Sequence, residues 1–152
     1  MKFIEIDGCY SFDFLDKTTL VATSWDKNSV YRFTLLDVSS TQWTYTGKIK
    51  VERPITLKCV GNNVYVISCD KRLLLLRKEF NDTEILLENK TEAPSTIVEF
   101  NGELLVHFES TSQVLRFRDK EKLEPLIVPQ KIGNINSISC SRYLTVSGSK
   151  GF

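Results

Sequence analysis

Apolar and polar residues alternate with a period of two in short runs along this chain, and the runs recur in a fixed order. Leu20-Val21-Ala22-Thr23-Ser24 ends in the polar segment Trp25-Asp26-Lys27-Asn28 and returns as Ser29-Val30-Tyr31-Arg32-Phe33. The same order of apolar run, polar turn and second run is repeated by Val64 through Leu74, by Leu104 through Phe117, and again from Tyr143. Turn residues Asp26, Asp70, Ser110 and Ser149 stand 44, 40 and 39 residues apart. Alternation at period two predicts strands with two distinct faces. A unit of such strands recurring at about 40 residues predicts the four-stranded blades of a β-propeller.

The first unit is expected to hold strands over 9–14, 19–24, 29–35 and 41–49, with its first hairpin turning at 15–18. The second places them over 55–60, 63–68, 72–78 and 83–88, and the third over 95–100, 103–108, 113–118 and 123–128. Gly61-Asn62-Asn63 and Asn101-Gly102 supply residues that tolerate positive φ where those hairpins need it. Pro54, Pro94, Pro125 and Pro129 fall at strand starts or on outer strands, where no ladder bond is required of them. A fourth unit has strands over 136–140 and 143–147 before Phe152 ends the sequence. The fold class expected is therefore all-β, a partial propeller of about three and a half blades over 8–49, 53–90, 93–129 and 133–152. It reads as the N-terminal part of a ring of seven, with Met1 to Ile6 as a strand lying before the first blade. Bare apolar faces on the end blades then predict a poorly soluble or oligomeric chain.

Charge adds little, since 20 basic against 19 acidic residues leave a formal charge of +1. No global field draws this chain to nucleic acid or to a membrane surface. The N-terminus carries acids where a signal peptide has an apolar run, and Leu73-Leu74-Leu75-Leu76 is too short to span a bilayer. Cys9, Cys59, Cys69 and Cys140 are widely spaced with no C-x-x-C, and the single histidine, His107, completes no zinc set. The cysteines read as reduced packing residues, and no metal or cofactor is expected.

Candidate chemistry concentrates at the turns. Trp25 reads either as an aromatic anchor for a partner peptide or as a packing residue between blades. Asp26 and Asp70 are expected to tighten their turns by accepting backbone N–H groups. Lys27, Lys71 and Arg72 occupy equivalent turns, where they offer a basic rim to an acidic or phosphorylated peptide or simply a solvated surface. His107 lies mid-strand between Val106 and Phe108 and reads as structural, and no phosphate loop or nucleophile motif is present.

The Ser24-Trp25-Asp26 turn and the Val30-Tyr31-Arg32-Phe33 strand resemble the first blade of the mitotic-checkpoint WD-repeat family, the budding-uninhibited-by-benzimidazole propellers and their mRNA-export relatives. Arg53-Pro54-Ile55-Thr56-Leu57-Lys58-Cys59 resembles the opening of that family's second blade. Lys27 stands where the family has a turn glycine, and Phe108-Glu109-Ser110 where it commonly has a second Ser-Trp-Asp. The resemblance implies a non-enzymatic scaffold of nucleus, cytoplasm and kinetochore, binding short peptide motifs of a checkpoint kinase and of phosphorylated kinetochore proteins. Its alternative is a nuclear-pore mRNA-export adaptor. A propeller enzyme would need clustered acids or histidines on inner strand ends, which the sequence does not display.

Overall fold

The computed structural model describes residues 4–77, 79–88, 92, 94–127, 135–140 and 142–148. Every regular element among them is a strand. The chain falls into two compact units, Met1–Glu88 and Asn89–Phe152.

The first unit holds β1 (Phe12–Asp16), β2 (Thr19–Ser24), β3 (Ser29–Leu35) and β4 (Trp43–Lys50), then β5 (Pro54–Val60), β6 (Asn63–Ser68), β7 (Arg72–Arg77) and β8 (Thr83–Glu88). Each set of four forms an antiparallel sheet in sequence order, as expected of a meander joined by short turns. The period-two pattern decides which residues meet. Val21, Val30, Leu15 and Ile49 leave one face of the first sheet to pack with Leu57, Val64, Val66, Leu74 and Leu76 of the second. Burying such aliphatic side chains is worth about 1.5–3 kcal/mol each. Polar ties fix the innermost strands: Ser11 Oγ accepts the Leu57 N–H at 3.3 Å, and Asp13 Oδ2 accepts the Cys59 N–H at 2.9 Å and pairs with Lys58 Nζ at 3.0 Å.

The second unit holds β9 (Thr96–Phe100), β10 (Glu103–Phe108), β11 (Gln113–Arg118) and β12 (Glu121–Lys122), and a two-stranded sheet of β13 (Ile135–Cys140) and β14 (Leu144–Gly148). Leu105, Val114 and Ile138 form its buried centre, with Val98, Phe100, Leu126, Leu144 and Val146 packed around them.

Most strands lie where the alternation puts them, and the differences have local causes. The first strand begins at Phe12 because Ser11 is held by Thr23 through mixed contacts, its N–H donating to Thr23 Oγ1 at 3.0 Å and its carbonyl accepting the Thr23 N–H at 2.8 Å. The first turn narrows to Lys17-Thr18, where Asp16 Oδ1 accepts the Thr18 N–H at 2.9 Å. In place of an outer strand over 123–128, β12 is two residues long: Leu123 N–H donates to Arg116 O at 2.7 Å and Leu126 N–H to Val114 O at 2.8 Å, spacings that leave the ladder before Pro125. Val128 and Pro129 lie outside the described residues, as do Met1 to Phe3 and the expected continuation after Gly148. Ile4 to Ile6 carry no strand assignment.

One turn recurs three times. Asn28, Lys71 and Ser112, the residues just before β3, β7 and β11, have φ of 48°, 67° and 54°. Their N–H groups donate to Trp25 O, Ser68 O and Glu109 O at 3.2, 3.2 and 3.3 Å. The same hydrogen-bonded turn with a left-handed last residue reverses the chain between second and third strands of each four-stranded sheet, the connection being one residue shorter in the second.

Candidate functional site

In the first unit the turns at one end of the sheets form a hydrogen-bonded rim. Gly8 O accepts the Trp25 N–H at 2.9 Å, and Ser24 Oγ donates to Asp7 O at 2.5 Å, so the N-terminal segment is tied to the β2–β3 turn. Asn28 Oδ1 accepts the Arg53 N–H at 3.0 Å, and Arg53 O accepts the Cys69 N–H at 3.1 Å. These bonds run from the β2–β3 turn through the start of β5 to the β6–β7 turn. Arg53 itself is held at φ 40°, a left-handed conformation that an L residue keeps only when its surroundings fix it.

Trp25 is half-buried within this rim. The Tyr10 ring lies 5.6 Å from it at 39°, and the Arg53 guanidinium stands 5.8 Å from its ring centre in cation–π range. The tryptophan thus has two neighbours at ring-contact range and keeps part of its surface open. Tyr10 and Arg53 were not singled out by the sequence as its neighbours; a basic residue before Pro54 was noted there only through the family resemblance.

The basic residues sit in different settings. Lys27 Nζ pairs with Asp7 Oδ2 at 3.3 Å, both side chains largely exposed. Arg72 is held from two directions, by Glu88 Oε1 at 3.0 Å and by Asp70 Oδ2 at 3.0 Å. The Glu88 hydrogen bond, with the Asp70 and Glu88 charges behind it, raises the already high guanidinium pKa further. Lys71 occupies the left-handed position of its turn. Turn tightening also differs from expectation: Ser24 Oγ, not Asp26, accepts the Lys27 N–H at 3.3 Å, and Asp70 accepts the Ser68 hydroxyl.

In the second unit a buried polar network surrounds the single histidine. His107 is 1% exposed, and its Nδ1 lies 3.3 Å from Ser95 Oγ, which donates to His107 O at 3.0 Å. Glu92, 8% exposed, accepts Ser110 Oγ at 2.7 Å, Thr111 N at 2.9 Å and Thr111 Oγ1 at 3.1 Å. Burial pushes the Glu92 carboxyl up, but these hydrogen bonds and the His107 charge outweigh it and hold the pKa below its usual value. Among the described residues no cluster of three His, Cys, Asp or Glu side chains has metal-binding geometry.

The outer face of the β1–β4 sheet, opposite the buried one, is aromatic. Register places Phe12, Phe14, Leu20, Ala22, Tyr31, Phe33 and Tyr45 on it. Tyr31, Phe33 and Tyr45 have ring centres 6.1–6.4 Å apart, and Phe14 lies 6.5 Å from Phe12 and 6.1 Å from Trp43.

These blade-like sheets are those of a β-propeller, and solved structures bear the class out. Virginiamycin B lyase from Staphylococcus aureus matches with a TM-score of 0.66 at 16% identity, over 95% of this chain and 54% of that one. BamB from Moraxella catarrhalis matches with a TM-score of 0.64 at 15% identity, over 88% of this chain and 38% of that one. The computationally designed Ika4 protein matches with a TM-score of 0.70 at 9% identity, over 96% and 88%. At such identities the likeness is one of fold, and the chain is a partial β-propeller. It spans between about two fifths and just over half the length of the two natural propellers.

No family model and no curated protein matches the chain. The resemblance to mitotic-checkpoint WD-repeat proteins is therefore corrected: the neighbours are propellers of other kinds. The physical reason lies in the turn that carried it. Trp25–Asn28 has the same hydrogen bond and left-handed fourth residue as Ser68–Lys71 and Glu109–Ser112, so its polar sequence answers to propeller hairpin geometry, not to one family. The expectation that the chain is not an enzyme is likewise corrected, because a lyase stands among the neighbours that share this fold.

Proposed function

We propose that this propeller segment binds protein partners, taking a short acidic or phosphorylated peptide at the rim around Trp25. The observation that carries the reading is the half-buried Trp25 ring, with the Tyr10 ring and the Arg53 guanidinium against it, on a turn hydrogen-bonded to the start of β5. A rigid aromatic with a guanidinium against it is a common binding anchor, because little side-chain freedom is lost on contact. Lys27 lies on the same turn, and Lys71 and Arg72 lie at the β6–β7 turn, which is linked to it through Arg53. The Lys27–Asp7 pair is exposed and contributes little, so an incoming carboxylate or phosphate competes readily for the ammonium.

The test is titration of acidic and phosphorylated peptide pools, followed by Trp25 fluorescence in a Trp43→Phe background. Trp25→Ala is expected to weaken the selected peptide by about 2 kcal/mol while the melting temperature holds. A stability loss of about 3 to 5 kcal/mol with affinity intact would instead make Trp25 a packing residue and remove it from the site. Since lyases share the fold, bound peptides and small-molecule pools are also examined for turnover by mass spectrometry.

A further inference from the structure

The outer face of the β1–β4 sheet is a second candidate surface, which meets the rim at Asp7 and Lys27. Phe12 is 64% exposed, and Phe14 and Tyr45 are each 53% exposed. On a sheet whose other face is buried, aromatic side chains left half in water at both edges, Phe12 and Phe14 on β1 and Tyr45 on β4, are an exception that asks for a covering group. Among the described residues the N-terminal segment alone is seen to line this face: Ile4 and Ile6, with Cys9, Phe12, Leu20 and Ala22, bound a hollow of about 240 Å³. A wider hollow of about 380 Å³ lies over Tyr31, Phe33 and Tyr45, bounded by Glu5, Ile6, Asp7 and Lys27.

The geometry points to a second copy of this chain as the occupant, docked face to face about a twofold axis. Area is the first argument. An aromatic side chain buries roughly 150–250 Å², so three half-exposed rings and their half-buried neighbours offer on the order of 500 Å² per copy. Two copies together reach about 1,000 Å², the lower bound for a specific association. Charge is the second argument: the edge of the face carries both signs, Glu5 and Asp7 with Lys27 and Lys48, so like-charge repulsion does not oppose self-pairing. Shape is the third, because the hollow beside Phe12 gives an exposed ring of the other copy a place to insert. The outer face of the β13–β14 hairpin offers no such match. Its Ser139 and Thr145 are exposed hydroxyl residues that are well served by water.

Sedimentation equilibrium across the micromolar range tests this. The whole chain is expected to shift from 17.4 kDa toward twice that mass as concentration rises. Phe12→Asp, at an exposed position, is expected to raise the dimer dissociation constant by about 100-fold, and Tyr45→Lys to act in the same direction. Thr145→Arg, on the hairpin, is expected to leave association unchanged. Melting temperatures show whether each variant folds, and Tyr45→Lys decides the question if Phe12→Asp does not. A wild-type chain that stays monomeric at the highest concentration overturns the proposal and assigns the face to a different occupant. So does a dimer that survives both aromatic substitutions or is broken by Thr145→Arg.

Discussion

The Gly8 carbonyl accepts the backbone N–H of Trp25 at 2.9 Å, joining the segment before the first sheet to the turn that carries the candidate anchor. Gly8 sits at φ 62°, and a Cβ added there would lie 2.7 Å from the Asp26 carboxylate and 2.9 Å from the Asp26 backbone nitrogen. Two penalties therefore fall on any larger residue. Gly8→Ala is expected to cost about 1 to 3 kcal/mol in urea unfolding. It should also loosen the Trp25 turn, seen as a red shift in the emission of a Trp43→Phe background. A variant as stable as the parent would show that the Gly8 contact does not hold the turn.

The Cys59 thiol is the second point of test. Burial, with the neighbouring Asp13 charge adding to it, pushes its pKa up to about 12, against the opposing Lys58. The thiolate is the nucleophile, so native Cys59 is expected to resist iodoacetamide at mildly alkaline pH and to react only on unfolding. The linkage has a definite sign. A folded pKa above the unfolded value of 9.0 means that stability from this group is complete below pH 9 and is lost as pH rises toward 12. Cys59→Ser, which titrates no thiol, should flatten that alkaline decline. Rapid native alkylation at Cys59 would contradict the burial.

Much of the fold was legible because its signals are local. Alternation fixed β6 over Asn63–Ser68, β10 over Glu103–Phe108 and β11 over Gln113–Arg118, and the turn residues punctuated them. The fourth strand of the third unit was not legible, since Leu126 packs against the core of that unit instead of extending a ladder, while Ile127 stays exposed. The rim was half visible. Trp25 stood out, but Tyr10 and Arg53 reach it from segments whose proximity depends on tertiary hydrogen bonds through Gly8 and Asn28. The alternating aromatics of β3 announced two faces, and only packing shows that Val30 turns inward while Tyr31 and Phe33 turn out.

Glu92 supplies a test at the acid end. Its carboxyl is held below the usual range by the Ser110 and Thr111 hydrogen bonds and the His107 charge, which overcome the opposing effect of burial. A depressed folded pKa stabilises above the unfolded value of 4.5 and is lost as pH falls through the folded one. Glu92→Gln should therefore melt lower than the parent near neutrality and lose part of the fall in melting temperature between about pH 5 and pH 3. Parallel acid limbs for the two proteins would show that Glu92 does not carry the dependence.

The recurrent turn also leaves conformational strain unrelieved. Asn28 is a residue type that visits left-handed φ at small cost, whereas Lys71 and Ser112 hold φ of 67° and 54° without that tolerance. Lys71→Asn and Ser112→Asn are each expected to raise stability by about 0.5 kcal/mol or somewhat more, read as an upward shift in the urea midpoint at constant slope. An unchanged midpoint would mean that the lost lysine or serine contacts offset the relief. The first hairpin thus serves as a template for the other two, and a chain made uniform at this position would be a hardier scaffold on which to carry disruptive changes at Trp25 or Phe12.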